Sequence, residues 1–129
     1  MAKPILCLDF DGVIHSYSSG WQGADVCPDP IVPGTVEFIV KASEHFTIAV
    51  FSSRSGQPMG IEAMQFYLRC QFYKVMDAPD ADPIISGIQW PREKPPALIT
   101  IDDRALQFTG KWSDFTIDDL RTFKPWNKS

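Results

Sequence analysis

Residues Pro4–Val13 read Pro-Ile-Leu-Cys-Leu-Asp-Phe-Asp-Gly-Val, and this stretch decides the fold. Ile5–Leu8 is a continuous apolar run of the kind that fills strands buried on both faces of a parallel sheet. It stops at two carboxylates, Asp9 and Asp11, and Gly12 follows where the chain must turn. In extended backbone, residues two apart point the same way, so Asp9 and Asp11 converge at a strand's carboxyl end. Open α/β sheets hold their ligands there. Carboxylates this close repel, which calls for a divalent cation, a carboxyl that keeps its proton, or both. An EF-hand loop counted from Asp9 would need Gly and Glu where the chain has Ile14 and Gly20, so a calcium loop of that kind is excluded. A charged strand end facing water is the plainer reading of the pair taken alone.

The 129 residues suit a single domain spanning 1–129, with enough chain to bury a core. A net charge of −4 disfavours broad electrostatic binding to nucleic acid. Cys7, Cys27 and Cys70 cannot all pair within one chain, which fits a reduced, cytoplasmic setting. No apolar stretch reaches membrane-span length and no signal-peptide apolar region opens the chain, so no membrane association is expected.

Beyond the first strand, 14–33 is irregular and rich in turn formers: Gly20, Gly23, Pro28, Pro30 and Pro33, with Trp21 near its middle. Loops this long in compact domains tend to be functional, and this one leaves the acidic strand directly, so it reads as a flap over the site. Trp21 either contacts substrate or plugs the flap onto the core. His15 reads as an ordinary loop residue and is left out of the site. A helix is expected over 34–45 and a second strand over Phe46–Phe51. That strand runs into Ser52-Ser53-Arg54-Ser55-Gly56, a polar turn that suits either an oxyanion site or a plain lead into the next helix, Pro58–Phe72. Residues 77–83 read as a proline-broken acidic loop, and Ile84–Trp90 as a third strand. Leu98–Ile101 is another apolar run capped by acids, Asp102 and Asp103, followed by Arg104. An edge strand over Leu106–Phe108, a short helix over Ile117–Phe123 and a tail over 124–129 complete the chain.

Asp9-x-Asp11, Ser52, Lys94 and Asp102-Asp103 stand in a fixed order, with strands before all but Lys94. That order resembles the haloacid dehalogenase (HAD) superfamily over about Ile5 to Phe108. Asp-Phe-Asp-Gly-Val and Ile-Asp-Asp-Arg-Ala are close matches, and Glu93–Ala105 looks most like the small, capless HAD proteins of bacteria and phages. The resemblance implies a Rossmann-like three-layer α/β sandwich, with a mostly parallel sheet of about five strands and no large cap domain. It also implies a Mg²⁺-dependent phosphatase that hydrolyses phosphomonoesters through an aspartyl phosphate.

Asp9 would be the nucleophile, and Asp11 the acid and then the base. Ser52, Ser53, Arg54 and Lys94 would bind the phosphoryl group, with Ser52 and Lys94 also counted in the catalysis. Asp9, Asp102, the backbone carbonyl of Asp11, and Asp103 directly or through water, would hold Mg²⁺. Pro95 and Pro96 depart from the usual helix start after the lysine, which makes Arg92 a fallback. Dehalogenases of the superfamily lack the second acid, so Asp11 favours phosphate chemistry. A receiver-like regulatory domain, or a Mg²⁺-dependent binding protein without turnover, is the alternative. The partner is a phosphorylated substrate, and the missing cap favours a macromolecular one; the sequence leaves the oligomeric state open.

Overall fold

Ile5–Leu8 forms β1, and it lies in the middle of the sheet. The computed structural model describes residues 2–127. Thr47–Val50 forms β2 on one side of β1 and Ile99–Ile101 forms β3 on the other. Both pairings are parallel, and the register sets Leu8 level with Val50 and with Ile101. The residues that follow, Asp9, Phe51 and Asp102, therefore leave the sheet at one height. Leu6–Leu8 and Ile48–Val50 are buried, as befits strands covered on both faces.

The helices bury stripes at helical spacing. α1, Thr35–Ala42, turns in Val36, Ile39 and Ala42. α2, Gly60–Val75, turns in Gly60, Met64, Leu68 and Phe72, one residue per turn. They join Phe10, Ile14 and the strand residues in one core. α3 is Ala78–Gly87, and α4 is Ile117–Arg121, where the Thr116 side chain accepts the Asp119 N–H at the start. The architecture is α/β with a small open parallel sheet. No helix among the described residues is long and apolar enough to cross a membrane.

Three segments differ from the sequence-based expectation. Residues 78–83 of the expected acidic loop 77–83, and most of Ile84–Trp90, form α3 instead of a loop and a strand. Pro79 falls in the first turn, where no N–H is required, and the Asp77 carbonyl accepts the N–H groups of Asp80 and Ala81 at 3.0 and 2.9 Å. Pro83 removes one interior hydrogen bond, which burial of Ala81 and packing of Ile84 and Ile85 on the core offset. Ile84-Ile85 suits a helix or a strand equally, so its apolarity alone does not separate them. Gln89 alone keeps a strand-like link, bridging Ala49 in parallel. Leu106–Phe108 takes no regular structure, so β3 is an edge, and the sheet has three strands among the described residues where about five were expected. Of the tail, Ser129 and Lys128 lie outside the described residues.

Candidate active site

Asp9 sits at the end of β1, and its backbone N–H donates to the Ile101 carbonyl of β3 at 3.0 Å. The turn that follows β3 thereby brings Asp103 against it. The two carboxyls share a hydrogen bond, and the Asp103 side chain is only 4 % exposed. Asp102 is exposed, and its Oδ1 accepts the Arg104 N–H at 2.8 Å. One oxygen from each of Asp9, Asp102 and Asp103 lies within 4.8 Å of the others. Burial, then the neighbouring Asp102 and Asp103 charges, push the Asp9 carboxyl up to about 7, against the Phe10 N–H that donates to it at 2.8 Å. Burial also raises Asp103.

Three hard oxygens from carboxylates match what Mg²⁺ takes. Bonds of about 2.1 Å place ligand oxygens on one ion roughly 3 to 4 Å apart, so this trio needs little contraction to fit. Gly12 makes the approach of Asp103 feasible. It has φ +83°, and a Cβ there would stand 2.1 Å from Asp103 Oδ2.

Asp11 is organised differently. Arg54 Nε donates to Asp11 Oδ2 at 2.8 Å, and Arg54 Nη2 donates to Oδ1 at 3.1 Å. His15 Nδ1 lies 2.9 Å from Oδ1, and His15 Nε2 accepts the Asp29 N–H at 3.0 Å. With Nε2 accepting, this hydrogen-bond pattern places the ring proton on Nδ1, where it donates to Asp11. Burial would raise the Asp11 carboxyl, but the His15 and Arg54 hydrogen bonds outweigh it and hold Asp11 below its ordinary value.

Arg54 is fully buried. Its Nη1 donates to the carbonyls of Gly23, Ala24 and Val26 at 2.9 to 3.0 Å, so one guanidinium ties Asp11 to the flap. Trp21 lies over the same group at 5.1 Å, which makes it an anchor of the flap by a cation–π contact. Ser19 holds the far side of the flap through two hydrogen bonds to Asp29.

The turn after β2 faces the acids. Ser52 Oγ accepts the Arg54 N–H at 3.2 Å and keeps its own proton to donate, while Ser55 Oγ accepts the Ser52 N–H at 3.0 Å. Gly60 lies under this turn, and a Cβ there would stand 1.8 Å from the Arg54 carbonyl oxygen. Asp9, Asp11, Ser52, Ser53 and Asp103 line a cavity of about 200 Å³ together with Tyr17 and Arg104. A larger space, about 500 Å³, opens between α2 and α3, away from the acids.

The expected residues are thus divided. Asp9, Asp11, Ser52, Ser53 and Asp103 meet at one cavity, and Asp102 stands at its rim with an oxygen near the other two acids. Arg54, expected to bind substrate, instead turns its guanidinium to Asp11 and the flap, because three carbonyls and a carboxylate satisfy its donors there. Lys94 is exposed and does not line the cavity, since Pro95 and Pro96 carry it in an irregular segment before β3. The cation in the cavity wall is Arg104.

Sequence reasoning passed over His15, Tyr17 and Arg104. His15 is readable as the fourth residue after Asp11, in a turn where the Phe10 carbonyl accepts the N–H groups of Val13, Ile14 and His15. Tyr17 has φ 62°, an uncommon conformation for a side-chain-bearing residue, and no local sequence signal marks it. Comparison of the chain with protein-family models, curated proteins and solved structures finds no match.

Proposed function

We propose that this chain is a Mg²⁺-dependent phosphatase that hydrolyses phosphomonoesters through a phosphoaspartate on Asp9, as its resemblance to the HAD superfamily implies. One observation carries the reading. Acids from two neighbouring strand ends converge opposite a hydroxyl-bearing turn from a third, around a cavity sized for a phosphoryl group. With it goes the fuller Rossmann-like sandwich, supported by the short parallel link of Gln89 to Ala49, where a fourth strand would lie beside β2.

In this reading an Asp9 oxygen attacks phosphorus and the ester oxygen leaves. Water then attacks the phosphoaspartate, and Asp9 and inorganic phosphate are released. Asp9, Asp102 and Asp103 would hold Mg²⁺, which when bound supplies positive charge that keeps Asp9 ionised and offsets its repulsion from the phosphate. Ser52 donates its hydroxyl to a phosphoryl oxygen, and the exposed Ser53 backbone lies beside it. Asp11 is kept ionised and oriented by Arg54 and His15, which suits it to take the proton of the hydrolytic water. To assist the first step it must carry a proton to the leaving oxygen, so poor leaving groups should react slowly. Arg104 takes the charge-balancing place expected of Lys94. The uncapped cavity favours a phosphate on a large carrier.

The test is steady release of inorganic phosphate from an aryl phosphate. Activity should require Mg²⁺, stop with EDTA and vanish in Asp9→Asn. Purified Asp9→Asn with the wild-type rate would refute the assignment. A single stoichiometric burst without turnover would favour a receiver-like regulatory domain instead.

A further inference from the structure

Two hydrogen bonds bring residues 124–127 back to the turn that follows β1. Trp126 Nε1 donates to the Gly12 carbonyl at 2.6 Å, and Asn127 Nδ2 donates to the Ser16 carbonyl at 2.9 Å. The partners stand 114 and 111 positions apart in sequence, so local backbone geometry does not produce these contacts. The turn also has bonds of its own. The Gly12 N–H donates to the His15 carbonyl at 2.7 Å, and the Ser16 N–H donates to the Pro30 carbonyl at 3.0 Å. Neither bond uses the Gly12 or the Ser16 carbonyl, and those are the two that Trp126 and Asn127 take.

Gly12 is where the turn meets the acids. A Cβ on it would stand 2.1 Å from Asp103 Oδ2, so the Gly12 backbone is a wall against which Asp103 rests. Trp126, Gly12, Asp102 and Asp103 all line a second cavity of about 240 Å³, and Asp103 lines the site cavity as well. Trp126 is 63 % exposed, so its contact depends on the indole N–H more than on packing of the ring. Ser16 Oγ and Asn127 Oδ1 are buried without a partner among the described residues, which offsets part of what the two bonds contribute. A contact held this lightly responds to small changes at the turn.

We propose that 124–127 is a strap whose Trp126 and Asn127 are positioning residues for the candidate site. They hold the Gly12–Ser16 turn against Asp103 and thereby keep Asp9, Asp102 and Asp103 spaced for Mg²⁺. Both act through backbone carbonyls and touch no reacting atom. The effect on the ion rests on the reading of these acids as a Mg²⁺ site, whereas the hold on the turn does not. Linkage makes the effect mutual: a strap that favours the ion when docked is itself favoured by the ion, by the same factor.

The experiment compares the wild type with Trp126→Phe, which keeps a ring and removes the donor, and with Asn127→Ala. Calorimetric titration reads Mg²⁺ affinity, and hydrogen exchange reads the Gly12 and His15 amides and the Trp126 indole N–H. One net hydrogen bond corresponds to about three- to tenfold in an equilibrium constant. Trp126→Phe should therefore weaken Mg²⁺ binding and quicken exchange of the Gly12 and His15 amides, each by about that factor, at the circular dichroism of the wild type. Asn127→Ala should act in the same direction. In the wild type, Mg²⁺ should slow exchange of the Trp126 indole N–H. Folded variants with wild-type Mg²⁺ affinity and wild-type amide exchange overturn the proposal, as does tighter Mg²⁺ binding in either. Variants that quicken exchange yet leave Mg²⁺ affinity unchanged overturn the positioning role. A wild type that binds no Mg²⁺ refutes the metal reading and with it the effect on the ion; quickened exchange in Trp126→Phe would then support the hold on the turn, and unchanged exchange would overturn that too. If Trp126→Phe loses its fold, Asn127→Ala and the response of the wild-type indole to Mg²⁺ still decide.

Discussion

Replacing Asp9 with asparagine should raise stability while removing activity, and the size of the gain should depend on pH. In the folded protein, without bound cation, the Asp9 carboxyl holds its proton up to about 7, against an ordinary value of 3.8. Between those values the native state binds a proton that the unfolded chain has released. Stability therefore falls as pH rises across this window. At about 1.4 kcal/mol per pKa unit the full shift sets a ceiling of roughly 4 kcal/mol, and we expect about 2–4 kcal/mol. Asparagine keeps the shape and carries no charge, so the penalty disappears. In EDTA, thermal unfolding of Asp9→Asn and wild type should differ little more at pH 4 than the substitution itself dictates. By pH 8 the variant should melt on the order of 10 °C higher relative to that baseline. Mg²⁺ should then stabilise the wild type and leave Asp9→Asn nearly unchanged. A difference between the two proteins that stays constant from pH 4 to pH 8, or that moves in favour of the wild type, would refute the reasoning.

Gly12→Ala should cost about 1–3 kcal/mol, from a strained φ and the clash with Asp103, and should weaken Mg²⁺ binding in calorimetric titration. Gly60→Ala should displace the Ser52–Arg54 turn, seen as a fall of about 2 kcal/mol or more in denaturant unfolding together with a raised KM. Arg54→Met should leave Asp11 without its buried cation, at a cost of about 3–5 kcal/mol, and limited proteolysis should then cut within 14–33. Asp103→Ala should weaken Mg²⁺ binding at least as much as Asp102→Ala, because Asp103 is the acid in contact with Asp9.

The parts of the fold that could be read from sequence are those where one local pattern permits one structure. Ile5–Leu8, Phe46–Phe51 and Leu98–Ile101 are short apolar runs that stop at polar turns, and each contains an observed strand. The acids and the serines at their ends share one cavity region because parallel strands in register end together. Ala78–Gly87 was not readable in the same way. Its prolines suggest a break, and only their placement in the first turn and at a single interior position lets a helix form. The role of Arg54 is hidden from sequence for another reason. Its partners are the carbonyls of 23, 24 and 26, and a residue's bond to distant backbone leaves no mark in its own neighbourhood. Lys94 and Arg104 flank the same strand, and which of them faces the cavity is set by the path of the chain rather than by residue type.

β1 is the first strand in the chain and the middle strand of the sheet, and this has a kinetic consequence. One of its edges is satisfied early, by β2. The other waits for β3, which lies near the opposite end of the sequence. Closing so long a loop makes folding slow relative to a helical protein of this size. A chain still emerging from the ribosome has made Asp9 but not Asp102 or Asp103. Its central strand stays open on one side, exposed to pairing with other nascent chains, until the final quarter of the sequence arrives.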